Sequence, residues 1–327
     1  MLNKLKRALE NMQYLCFRPV INELTKQFGA LQSQHDIILR ADMERLNFTS
    51  KNPLNKYGSK YFSQSDEDGI TLEILRRIGL DCGTFVELGV GNGLENNTLI
   101  LLASGWKGFW IGGEDLAFND KANPEVFLFF KEFVTRENVA QLIKSGLDKA
   151  DISSIDVLSI DLDGNDLYFM QEILRSGINP CVIIAEYNAK FPPPIRWSIE
   201  YNENHVWDNN DYFGVSLQLL SDLLLKHSYM LVCCNAGAGT NAFFVAGRFR
   251  NMFEDVPSDI SEIYIPCRYN LYKRWGHPPS PRTIEQMLAS RMTELEPLRC
   301  EPPPGMTAGR VIVEDGADDL CSPARRA

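Results

Sequence analysis

The chain is poor in the features that would assign it to several large functional classes. Its four histidines and eight cysteines contain no Cys-x-x-Cys pair and no His/Cys spacing suited to zinc. The cysteines are Cys16, Cys82, Cys181, Cys233, Cys234, Cys267, Cys300 and Cys321, and several of them lie in apolar runs, where they serve as small hydrophobes. Reduced thiols in a cytoplasmic setting are the expectation. Basic residues are outnumbered, 33 Lys and Arg against 43 Asp and Glu, for a net charge of -10. That balance argues against a nucleic acid backbone as partner. No apolar run approaches the roughly 18 residues of a membrane span, and the N-terminus lacks a secretory apolar core. A soluble protein is expected.

Against these absences stands Thr84-Phe-Val-Glu87-Leu-Gly89-Val-Gly91-Asn-Gly93, an apolar run that breaks into three alternating glycines. It reads as a buried strand, a tight turn and a helix start. A residue without Cβ lets the backbone turn sharply and approach a ligand closely, so the turn outlines a nucleotide-cofactor site. Apolar runs at Thr84 to Val90, Gly108 to Ile111, Val126 to Phe130, Asp156 to Asp161 and Cys181 to Glu186 alternate with helical stretches. The helices begin near Asp66, Glu95, Arg136, Leu167 and Val215. Alternation of this kind predicts a parallel sheet with helices on both faces. Two further runs, Tyr229 to Cys233 and Asn241 to Val245, are joined by a short glycine-rich link and predict an antiparallel hairpin. The expected fold is α/β: a doubly wound, mostly parallel sheet of about seven strands, closed by that hairpin, as in class I methyltransferases.

At 327 residues the chain accommodates one main domain with appendages. Residues 1–50 read as a helical extension, with Leu5, Leu9, Met12, Leu15, Leu24, Phe28 and Leu31 at helical spacing and a break at Pro19. This extension either packs on the domain or joins copies into a homo-oligomer. Asn52 to Gly58 reads as a loop. The main domain spans 51–275, and 276–327 forms a proline-rich, partly disordered tail with one short helix over 283–295. Within the domain, 188–214 is a long insertion carrying Trp197, Tyr201, Trp207, Tyr212 and Phe213 among Arg196, His205, Asp208 and Asp211. Such a mixture suits stacking on sugar faces; alternatively the aromatics cover the sheet edge.

In open parallel sheets ligands gather at the carboxyl ends of strands, and four strands here end in acids. Glu87 either anchors the glycine turn or receives a cationic cofactor tail. Glu114 or Asp115 follows the second strand and can accept both hydroxyls of an adenosine ribose, with Glu114 preferred. Asp161, Asp163 and Asp166 follow the fourth strand, and Glu186 ends the fifth. Acids converging on one place repel unless protonated, hydrogen-bonded or neutralised by a cation. A magnesium, manganese or calcium ion held by Asp161, Asp163 and Glu186 meets that need; the other reading has these acids capping the helix at Leu167 or binding backbone amides, with Asp166 as the N-cap.

Four segments together resemble the FkbM-like S-adenosylmethionine-dependent O-methyltransferases. Phe62-Ser-Gln64-Ser-Asp-Glu67-Asp68-Gly is similar to the family's Ser-Gln…Glu-Asp motif, and Glu87 to Gly93 to its glycine-rich first motif. Ile160-Asp161-Leu-Asp163-Gly164-Asn-Asp166 is similar to its Ile-Asp-x-Glu-Gly-x-Glu segment, and Glu186 to the acid ending the next strand. The sequence departs at Ser159, where the family commonly has lysine, at Asp163 and Asp166, which replace glutamates, and at Gly112-Gly113, which displace an acid. The resemblance implies S-adenosylmethionine bound by Gln64, Glu87, Gly89, Gly91, Gly93, Glu114, Asp115 and Asp161. It also implies methyl transfer to a hydroxyl of a sugar, glycan or secondary metabolite. His205 or Asp163 is the candidate base for that hydroxyl, the rival being an acceptor held as an alkoxide on a bound metal. Two other classes share the glycine turn: an NAD-dependent oxidoreductase and a non-catalytic Rossmann-like scaffold.

Overall fold

Seven short strands form one sheet in the order β3-β2-β1-β4-β5-β7-β6. The strands are β1 (Thr84–Leu88), β2 (Lys107–Gly112), β3 (Phe127–Lys131), β4 (Val157–Ile160), β5 (Val182–Glu186), β6 (Tyr229–Cys234) and β7 (Asn241–Ala246). The first five pair in parallel, and β7 is antiparallel to both β5 and β6. The mixed sheet and its closing hairpin agree with the expected class I methyltransferase-like fold. The computed structural model describes residues 2–121, 123–269, 280, 282 and 286, all within the compact unit Met1–Pro297.

Central strands such as β4 and β7 are buried at every position. Continuous apolar runs of this kind are what a sheet covered on both faces requires. The helices α2 (Glu67–Ile78), α3 (Leu99–Ala103), α4 (Val139–Ala150), α5 (Asp166–Arg175) and α6 (Leu217–Lys226) cover it, and a short α7 (Ile260–Ile263) follows the hairpin. The ends of α2 obey its dipole: Glu67 and Asp68 open it, Arg76 and Arg77 close it, and Gly79 caps it at φ 72°.

Four expectations are corrected. The N-terminal helix α1 (Leu2–Thr49) continues unbroken through Pro19, whose ring removes one amide donor while the turns on either side stay helical. Residues 53–57 form a 3-10 turn rather than a loop. Asn52 caps it by accepting from Leu54 N at 3.0 Å, while Asn52 and Asn55 donate to the Val232 and Cys234 carbonyls of β6. The helix expected near Glu95 begins at Leu99, because the preceding residues form a turn held by Glu87. Asp166 is not the N-cap of α5; Asn165 occupies that position, and Asp166 instead accepts from Leu162 N and Gly164 N at 2.8 and 3.0 Å. It thereby closes the turn in which Asp163 adopts φ +53°.

The insertion builds a small core of its own. Phe191, Trp197, Ile199 and Tyr212 are buried together, with Phe191 stacked on Trp197 at 4.2 Å. Three residues of the expected tail lie against it: Gln286 accepts from Trp197 Nε1, buried Ser280 donates its amide to Asp211, and the Arg282 guanidinium sits over the Tyr212 ring. The helix expected over 283–295 and the remainder of 276–327 lie outside the described residues. No helix among the described residues is long and apolar enough to cross a membrane.

Candidate functional site

The carboxyl ends of β1, β2, β4 and β5 open onto two adjoining clefts of about 460 and about 480 Å³. Both volumes lie in the range of small-molecule sites. They share Gly89, Val90, Gly91, Asp161, Asp163 and Trp207, so the glycine turn and the acids after β4 form their common wall.

The three glycines are required for different reasons. All have positive φ, at 81°, 48° and 82°. A Cβ on Gly89 would lie 1.6 Å from the Asp161 carbonyl oxygen, so this glycine lets β1 and β4 close on each other. A Cβ on Gly93 would meet Leu116, Phe118 and Trp110 within 3.0 Å. At Gly91 nothing lies within 4 Å, and the bare backbone faces the clefts.

Glu87 lies beneath this turn, 2% exposed. Its Oε1 accepts from Asn97 N and Ser159 Oγ, and its Oε2 from Thr98 N and Thr98 Oγ, at 2.6 to 3.2 Å. Burial raises its pKa, while these bonds to the ionised form oppose the rise. The geometry is that of the turn anchor, one of the two roles open from sequence. Ser159, standing where the resemblance expects lysine, belongs to the same network. It receives Asn97 Nδ2 at 3.2 Å.

Asp161, Asp163 and Glu186 are arranged differently. One carboxylate oxygen from each lies within 4.8 Å of the others. Glu186 Oε2 is shielded from solvent and has no hydrogen-bond partner among the described residues. Burial, and then the neighbouring acids, push Asp161 and Glu186 well above the usual carboxylate range and Asp163 to about 6. Three carboxylates with one orphaned oxygen are chemically compatible with a hard divalent cation.

Gln64 lines the first cleft, and Glu114 the second. Asp115, the other candidate for the ribose, is among neither set of lining residues and pairs with Lys131 at 2.6 Å. His205 lines the second cleft, with its ring against Gly164. Burial lowers its pKa below the ordinary histidine value, while a ring hydrogen bond to the Asp163 backbone opposes that fall; Nε2 is buried without a partner among the described residues. Of the insertion's aromatics, Trp207 and Phe213 border the first cleft and pack edge to face. Trp197 and Tyr212 form the small core, Tyr201 bonds to Arg136 N, and Arg196 pairs with Asp222.

Sequence reasoning missed the polar floor of the first cleft. Asn235 and Asn241 donate to Glu67, at 2.9 and 3.2 Å, and Asp66 accepts from Ala236 N and Gly237 N. Asp68 Oδ2 gathers the amides of Tyr61, Phe62 and Ser63. The Ser-Gln segment is thus clamped to the β6–β7 connection, which carries Gln64, Thr240 and Asn241 to one cleft. Asn235 and Asn241 bracketing a glycine-rich link were the available signal; the buried acids that they satisfy lie far away in sequence. Tyr269 also lines this cleft, beyond any motif.

The sheet order and the clefts at its strand tips define a Rossmann-like domain of the class I methyltransferase type. No protein-family model and no curated protein matches the chain. Among solved structures it is similar to the N-terminal domain of EvdMO1 with SAH bound, at 11% identity over 63% of this chain and 96% of that domain, with a TM-score of 0.32. A likeness of that degree has no bearing on the chemistry here, which rests on the site itself.

Proposed function

We propose that the protein is an S-adenosylmethionine-dependent O-methyltransferase whose acceptor is a hydroxyl of a sugar, glycan or secondary metabolite. The observation that carries the reading is the shared wall of the two clefts, where the open Gly91 backbone meets the acids after β4. The four-motif resemblance to FkbM-like enzymes supplies the reaction class.

The second cleft suits the nucleoside. Glu114 stands at its edge to accept ribose hydroxyls, and Phe133, Val134 and Phe169 give apolar surface for a base. The first suits the acceptor, with Trp207 and Phe213 for a sugar face and Asn96, Asn97, Thr240 and Asn241 for its hydroxyls. When bound, S-adenosylmethionine supplies an electrophilic sulfonium methyl. The acceptor oxygen forms the new carbon–oxygen bond as the carbon–sulfur bond breaks, and its proton must leave. The Asp163 carboxylate, in the wall common to both clefts, can take that proton; His205 lines the nucleoside's cleft and not the acceptor's, and its buried Nε2 has no partner among the described residues. Asp161, Asp163 and Glu186 would hold magnesium, manganese or calcium, which supplies a lowered hydroxyl pKa. Positioning across the wall supplies the larger share of catalysis in such a displacement.

Calorimetric titration with S-adenosylhomocysteine and with NAD tests the reading. Binding of S-adenosylhomocysteine alone is expected. Binding of NAD alone would make the protein an oxidoreductase, and binding of neither would make it a scaffold; either result overturns the proposal.

A further inference from the structure

From the structure we infer that α1 is a dimerisation arm that pairs with the α1 of a second copy of this chain. The inference stands apart from the methyltransferase reading. Within the part of α1 whose side chains are described, residues 17–49, only the C-terminal turns engage the domain described above: Asn47 is buried and donates to the Gly58 carbonyl at 3.2 Å, and Met43 and Leu46 are half-buried. Residues 17–42 are otherwise exposed, a rod of about 40 Å at 1.5 Å per residue. A helix that meets no core along this length lacks the packing that ordinarily stabilises helices in proteins.

Of the nine exposed large apolar residues between positions 17 and 39, six fall on one stripe, and Val20, Ile37 and Leu39 lie off it. Phe17, Ile21, Leu24, Phe28, Leu31 and Ile38 follow one another at intervals of four and three residues, with His35 completing the series before Ile38. Phe17, Phe28 and Ile38 are 61, 64 and 66% exposed. This is the seam of a left-handed coiled coil over three heptads. The positions flanking the seam from Val20 to Ala41, Thr25, Gln27, Gln32 and Gln34 among them, carry no charge. Two identical helices can therefore meet without opposing like charges, while Glu23, Lys26, Asp36 and Arg40 lie on the outer face. At roughly 100 Å² for each apolar side chain, the six on each of two helices bury about 1,200 Å², the lower edge of a specific stable interface. Exposed Val20 and Leu39 widen the contact.

Light scattering on the full chain after size exclusion is expected to give twice the 37.1 kDa chain mass, and L24E/F28E to give a monomer whose thermal transition persists. Because those charges could unfold α1 itself, L31C in a C82S background provides a second readout. Oxidation should cross-link L31C across the seam and leave A30C, one position off it, no more cross-linked than C82S alone. A monomeric wild-type chain at micromolar concentration would overturn the inference. So would equal cross-linking at positions 30 and 31, or flotation of the wild-type chain with phosphatidylcholine/phosphatidylserine vesicles that L24E/F28E abolishes.

Discussion

Glu87 and Glu186 are the same residue at the same kind of place, the carboxyl end of a parallel strand, and burial raises the pKa of both. Around Glu87, four donors converge on two oxygens and offset the cost of desolvation. Around Glu186 there are two more acids, and one of its oxygens has no partner among the described residues. A buried charge answered locally is part of the architecture. One left unanswered within the described residues either keeps its proton or takes a partner from outside the chain. The difference separates the anchor of the glycine turn from the candidate cation centre, although both acids fit one sequence pattern.

Gly89 joins the two sides, so its loss should disturb both and produce the largest effect. An alanine there would place Cβ within bonding distance of the Asp161 carbonyl oxygen and hold a left-handed backbone. Overpacking and the unfavourable φ together cost about 3 kcal/mol or more, which corresponds to a melting temperature lower by roughly 6–12 °C. Differential scanning fluorimetry of G89A and G91A checks this. G91A, with open space around its Cβ, should lose far less stability; equal losses would show that β1 and β4 do not depend on their close approach.

Glu87→Gln probes the anchor alone. Whichever way the amide turns, its NH2 faces a backbone N–H of Asn97 or Thr98 that now has an acceptor. Leaving buried donors unsatisfied costs about 2 kcal/mol. Urea unfolding should show a lower midpoint with an unchanged slope, and an unshifted midpoint would remove Glu87 from the architecture.

Sequence made the sheet legible because each strand is a short apolar run fixed by local pattern. The Gly89, Gly91 and Gly93 turn was legible for the same reason, as was the gathering of Asp161, Asp163 and Glu186 on adjacent strand tips. What sequence could not decide was which acids are answered. The donors to Glu87 lie ten and eleven residues away, with one more on β4, and those to Glu67 lie across the sheet on the β6–β7 connection. Nor did composition separate Trp207 and Phe213, which border a cleft, from Trp197 and Tyr212, which fill a core. Sequence left Asp115 open beside the preferred Glu114; Asp115 pairs with Lys131 and lines neither cleft.

Glu186→Gln is the smallest change and the most informative, because its sign should oppose that of the same substitution at position 87. In the folded chain Glu186 holds its proton above the ordinary carboxylate range, and Asp163 does so up to about 6. Between the unfolded values near 4 and those raised values the native state binds more protons than the unfolded one, so stability falls as pH rises through that window. Removing one acid relieves the repulsion among those that remain. At pH 7.5 without metal, E186Q should therefore melt higher than wild type, by about 2–4 °C if the relief is about 1 kcal/mol, and its decline between pH 4 and 7 should be shallower. Millimolar magnesium or manganese should raise the wild-type transition through binding to the native state and leave E186Q unmoved. A lower melting temperature for metal-free E186Q would mean that Glu186, like Glu87, is answered from within the chain, and the contrast between the two strands would disappear.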